Sequence, residues 1–152
     1  LLPYTTLFRS RLSPVTPAND AGPDSDPQAL YGRAVERIAP LRLAYLHVVE
    51  GATGGARDIA PFDYADLRRR FGGPWMVNNG YDAALARAAL AEGRADLVAF
   101  GRPFIANPDL GRRLREGRPW AVPDRRGFYD GGAAGYTDYR AWDTATDAAI
   151  PA

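Results

Sequence analysis

Two short stretches, Asn79-Gly80 and Gly101-Arg102, hold the residues of this sequence best suited to chemistry. Each follows an apolar run, "PWMV" and "ADLVAF", and each places a glycine where backbone N–H groups can approach an anion closely. Arg102 adds a planar charged fork of the kind that matches phosphate oxygens. "PFIANPDL", just beyond it, supplies a helix start whose free N–H groups also favour an anion. On spacing alone, either glycine reads equally well as a plain tight turn. Other reactive types are scarce. Cysteine is absent, which excludes disulfides, thiolate metal sites and thiol nucleophiles, and fits a reducing, cytoplasmic setting. All 19 basic residues are arginine, so lysine Schiff-base chemistry is excluded too. The single histidine, His47, lies inside an apolar run and is expected to be a packed, hydrogen-bonded residue rather than a general base. Arg68, Arg69 and Arg70 read as a solvated helix face, and Trp75, Phe100 and Phe104 as core. No catalytic residue and no metal-ligand set is assigned.

The elements that must position these loops follow from periodicity. At 152 residues the chain is about one domain, and its net charge of +1 makes no electrostatic case for nucleic acid or membrane. No apolar run is long enough to span a bilayer. Residues 15–26 form a loop rich in Pro, Asn, Asp and Gly. Asp26-Pro27 then opens a helix whose apolar stripe is Leu30, Ala34, Ile38 and Leu41, ending near Pro40. "LRLAYLHVVE", "PWMVNNGY" and "ADLVAFGR" read as buried strands. Between and after them "FDYADLRRRF", "AALARAALAEG" (capped by Asp82) and "PDLGRRLREG" read as helices. Strands apolar along their whole length, alternating with helices, require a parallel sheet covered on both faces. Counting a further strand that ends at "RLSP", about four βα units fit, so the chain is either a small open α/β sheet or half of a (β/α)8 barrel.

The motifs resemble those of a known family. "ADLVAFGRPFIANPDLGRRLREG" followed by "GFYDGGAAGYTDY" is similar to the C-terminal half of old yellow enzyme family FMN-dependent ene-reductases, of the N-ethylmaleimide reductase type. "RLSPVTPANDAG", "DPQALYGRAVERIAPLRLAYLHVVEG" and "WMVNNGYDAALARAALAEG" continue the resemblance in the same order. It implies an α/β fold corresponding to about strands 5–8 of a truncated TIM barrel. It also implies FMN as cofactor, NADPH or NADH as reductant, and small activated alkenes (enones, maleimides, nitro-alkenes) as substrates. Arg11 resembles the arginine beside the flavin N1–C2 region, and Asn79, Gly80, Gly101 and Arg102 resemble the FMN phosphate cradle. Tyr129 resembles the tail-loop tyrosine that reaches over the flavin towards substrate, and Asn19 a residue at the mouth of the site. The sequence departs from the family pattern at Asp130, Ala134 and Arg140, which bears on the shape of that tail loop.

The family's substrate-anchoring His-His or His-Asn pair lies on strand four, which this sequence does not contain, so the resemblance implies an inactive fragment. A stand-alone phosphate- or nucleotide-binding module is the alternative. Residues 1–10, "LLPYTTLFRS", resemble a translated sequencing adapter and are expected to be non-native, with a divergent native strand as the rival reading. A secretory leader is not expected, since no basic n-region or small-residue cleavage site is present. The expected organisation is thus 1–10 non-native, 11–140 half-barrel and 141–152 tail.

Overall fold

The structure, a computed structural model, describes residues 8–17, 22–59, 61–128, 132–135 and 137–142. Strands β1 (Arg9–Leu12), β2 (Tyr45–Val49), β3 (Trp75–Asn78) and β4 (Leu97–Val98) form one sheet in the order β1-β2-β3-β4, every neighbouring pair parallel. The crossovers that parallel pairing demands contain α1 (Pro27–Ile38), α2 (Tyr64–Phe71) and α3 (Ala83–Ala91). Helices α4 (Arg102–Ala106) and α5 (Leu110–Glu116) follow β4. Strand order repeats chain order with no reversal, which is how successive units of a (β/α)8 barrel are laid down; a doubly wound sheet would switch direction. The chain divides into two compact units, Leu1–Ala99 and Phe100–Ala152.

Local chemistry sets the helix ends. Asp26, Asp63 and Asp82 each accept a hydrogen bond from the backbone N–H three residues on, at 2.9, 2.9 and 2.7 Å, so three crossover helices start on aspartate caps. Pro27 occupies the first turn of α1, where its missing N–H costs nothing. Helix α2 ends on Gly72 in the left-handed region, φ 64°, as a C-terminal glycine should.

Alternation along the strands divides the sheet into two unlike faces. Leu46, Val48, Trp75 and Val77 are each 1 % exposed or less and share a face by register. Val35 of α1, Leu67 and Phe71 of α2, and Ala86 and Ala89 of α3 complete this buried set. The opposite face carries Arg9, Arg11, Tyr45, His47, Met76, Asn78 and Leu97, all partly or well exposed, and Val49, which is buried. Among the described residues this second face is only partly buried, where the apolar character of the strands led one to expect cover on both faces. In a barrel segment the helices cover only the outer face, and inward side chains pack across the barrel axis.

Three further expectations are corrected. The stripe of α1 is not the buried one: Leu30 and Leu41 are 49 % and 51 % exposed, and the helix buries Gly32 and Val35 instead. The cause is local, because Gly32 leaves room for the Arg70 guanidinium of α2, which a Cβ would meet at 3.4 Å. Strand β4 shrinks to two paired residues, although Asp96 and Ala99 still donate N–H bonds to Trp75 and Val77 carbonyls at 2.9 and 2.8 Å. Phe104 is half exposed, while Trp75 is buried and Phe100 stacks edge-on to Trp120 with ring centroids 5.5 Å apart. The arginine run behaves as read: Arg70 pairs with Asp66 and Glu36, Arg69 with Asp66, and Arg68 with Asp96.

In the second unit, Asn107 is entirely buried and ties α4 to the following segment. Its amide donates to the carbonyls of Pro103 and Ala121 at 2.8 and 2.9 Å, and its oxygen accepts from Ala121 N at 2.8 Å. Arg113, also buried, bonds Asp109 Oδ1 at 2.8 Å, and Asp109 Oδ2 accepts from Trp142 N at 2.9 Å. The segment around Trp142 is thereby fixed to α5.

Candidate functional site

In parallel βα units, binding groups gather in the loops that follow the strands. Asn79 and Gly80 occupy that position after β3, both with positive φ, 98° and 67°. Gly80 is exposed, and a Cβ added there would meet only Arg57 Cδ, at 3.9 Å, so its outer side is open. Its two neighbours are anchored inward. The Asn79 amide donates to the carbonyls of Glu50 (2.5 Å) and Ala52 (2.8 Å), and its oxygen accepts from Gly54 N at 3.0 Å. Tyr81 donates its hydroxyl to Glu50 Oε2 at 2.8 Å, and Arg57 pairs with the same oxygen at 3.0 Å while lying over the Tyr81 ring. Burial, followed by the bond to Glu50 and its charge, pushes the Tyr81 hydroxyl pKa up, so it remains a donor. The turn thus presents backbone outward, while the Asn79 side chain is spent on the loop after β2. Only main-chain groups of Asn79 are left for an anion.

Gly101 and Arg102 sit where α4 begins, in the second unit. A Cβ on Gly101 would touch nothing within 4 Å, and its φ of −95° suits any residue. Among the described residues no carboxylate pairs with Arg102, unlike most of the arginines around it. Gly101, Phe104, Ile105, Pro108, Thr137 and Tyr139 line a cavity of about 480 Å³. That explains the exposure of Phe104, and the sequence held no signal for it beyond an aromatic at a helix position. A second cavity, of about 400 Å³, contains Arg68, Arg69 and Arg94, but Asp96, Asp66 and Glu92 match them and leave no surplus charge.

Arg11 lies on β1, exposed on the face that carries Tyr45 and His47, in one lateral row with His47, Met76 and Leu97. His47 is half-buried and interacts with the Asn78 side chain, while its Nε2 has no hydrogen-bond partner among the described residues. Burial first, then the Arg11 charge, holds the imidazole pKa below its ordinary value, with Asn78 opposing. A neutral ring beside a guanidinium adds no second positive charge to this face. Tyr129 and Asn19 lie outside the described residues, as does Asp130. No cluster of three or more His, Asp or Glu side chains that could hold a metal exists among the described residues.

Comparison with known proteins gives consistent results. Residues 6–121 match the NADH:flavin oxidoreductase / NADH oxidase family. 12-Oxophytodienoate reductase 1 of Oryza sativa subsp. japonica is 40 % identical over 134 residues, covering 85 % of this chain and 35 % of that protein. The old yellow enzyme from Trypanosoma cruzi superposes with a TM-score of 0.81 at 35 % identity, covering 89 % of this chain and 35 % of the other. Morphinone reductase superposes at 0.80 with 38 % identity, covering 91 % and 37 %, and is also solved in complex with tetrahydroNAD. The chain spans about a third of the length of these relatives, and its sheet is a piece of their barrel.

Proposed function

Because this chain belongs to the NADH:flavin oxidoreductase / NADH oxidase family, we propose that it is the FMN-gripping portion of an alkene reductase. The observation that supports the reading is the open backbone at Gly80 and, in the second unit, the open backbone at Gly101 beside an Arg102 that no carboxylate pairs among the described residues. These are the features a phosphate requires: room for oxygens against main-chain N–H groups, and a charge not already neutralised. Open space lies beside both glycines. The residues present therefore fit the group.

In this reading Asn79 and Gly80 contribute main-chain donors, Gly101 close approach, and Arg102 charge-assisted hydrogen bonds to the FMN phosphate. Arg11 provides positive charge towards the flavin ring, where it favours the electron-rich form. Tyr129 reaches towards substrate. When bound, FMN would supply two-electron chemistry, hydride passing from NADPH or NADH by way of the flavin to the β-carbon of an enone, maleimide or nitro-alkene while a proton is taken up at the α-carbon. In this reading the family's substrate-anchoring His-His or His-Asn pair belongs to barrel strand four, outside the segment of the barrel matched here, so the segment alone is inactive. On the same reading residues 11–140 belong to the barrel portion of the reductase, and its reaction is cytoplasmic.

The test is a chimera joining the part of morphinone reductase that precedes the matched segment to residues 11–152 of this chain. It is expected to purify yellow and to reduce a cyclic enone with NADPH or NADH. A chimera that folds, by circular dichroism, yet stays colourless in excess FMN overturns the proposal and favours a phosphate-binding module without redox activity.

A further inference from the structure

We infer that Asn79 is a positioning residue whose side chain couples the turn at Gly80 to the loop after β2, so that phosphate bound at the turn is felt at Gly54. Three observations carry it. Asn79 is a non-glycine residue at φ 98°, a sparsely populated region that persists only when the surroundings hold it. What holds it is its own amide, buried with the residue 7 % exposed and bonded to Glu50 O, Ala52 O and Gly54 N. On the other side of Gly80, Tyr81 reaches the same loop through Glu50 and Arg57. Both flanks of one exposed glycine are therefore fastened to residues 50–57, and the loop's conformation fixes which way the Gly80 backbone points.

The loop depends equally on the turn. Gly51 has φ 70°, and a Cβ there would collide with Ala56 and Arg57, so the chain folds back tightly at that point. Inside the fold-back, Ala52 N bonds Ala56 O and Gly55 N bonds Ala52 O, both at 2.8 Å, while Gly54 N turns outward to Asn79. The Gly54 amide is thus a reporter of the latch, and the Gly55 amide of the loop alone. Coupling between sites is reciprocal: if an ordered loop favours phosphate at the turn, phosphate at the turn must order the loop by the same factor.

The inference rests on the FMN reading above, and single-residue amide exchange of the full chain separates the two. FMN is expected to slow Gly54 exchange about fivefold or more, a typical coupling magnitude. Riboflavin, which lacks the phosphate, is expected to leave it unchanged. In Asn79→Gly, where φ is unrestricted, Gly54 should exchange faster without ligand, FMN should no longer protect it, and FMN affinity should fall by a matching factor. Gly54 exchange equal in the two proteins overturns the latch. Equal protection by FMN and riboflavin, or FMN that quenches its own fluorescence on the chain without protecting Gly54, overturns the coupling. Absence of any flavin quenching by the unaltered chain overturns the FMN reading and the coupling with it, while the ligand-free comparison still judges the latch. The unaltered chain alone decides the coupling should Asn79→Gly fail to fold.

Discussion

At the scale of single residues, charge and space at the two strand-end turns set the expectations. Replacing Arg102 by Gln removes a charge-assisted contact, for which such bonds are worth about 1.5–3 kcal/mol. FMN affinity in the completed barrel should fall roughly ten- to hundredfold by fluorescence titration, with riboflavin affinity unmoved. Gly101→Leu should leave the melting temperature unchanged, since its Cβ position is empty, yet block FMN; a normal affinity would remove Gly101 from the site. His47 yields a pH prediction. Its folded pKa lies below the free imidazole value of about 6.5, so the folded state binds fewer protons than the unfolded one as acid is added. The stability it contributes is present above that value and is lost as pH falls through the lowered one. The fall in melting temperature between neutral and mildly acidic pH should be smaller in His47→Phe, and an unchanged slope would contradict the assignment. These turns were visible in sequence because glycine after an apolar run is a local signal. The work of the Asn79 side chain was not, because its partners lie 24 to 29 residues away. That asparagine tolerates positive φ was the one available hint.

At the scale of elements, the sequence announced what is encoded locally. Asp26 and Asp82 were legible as caps and each caps a helix in the structure, whereas Asp63, which caps α2, lay unread inside "FDYADLRRRF". Asp82→Ala should cost about 1 kcal/mol in urea denaturation, and no measurable change would mean α3 is held by packing alone. What depends on a neighbour was hidden. The α1 stripe misleads because Gly32, not Leu30, meets α2, and nothing in the spacing of leucines reports where Arg70 will lie. Asn107 was likewise passed over within "PFIANPDL", although it bridges residues 103 and 121. Asn107→Ala strands two carbonyls and an N–H in a buried place and should cost about 3 kcal/mol. A loss near zero would show that water replaces the amide without penalty.

At the scale of the whole chain, the parallel sheet could be read from apolar strands alternating with helices, but its partly exposed face could not. Apolar content along a strand does not reveal which of its two sides meets a helix. Among the described residues no strand pairs with the outer edges of β1 and β4, and Met76 and Leu97 are partly exposed. The 152-residue chain should therefore self-associate with rising concentration in sedimentation, and the morphinone reductase chimera should remain monodisperse under the same conditions. A monodisperse isolated chain would mean the partly exposed face is covered from within. The account turns on recognition of the ribityl phosphate, and the most direct measurement is the ratio of FMN to riboflavin dissociation constants in the chimera. A preference for FMN of about a hundredfold, largely lost in Arg102→Gln, is the predicted result, in keeping with a charge-assisted phosphate grip. Equal affinities for the two flavins, or a preference indifferent to Arg102, would contradict it.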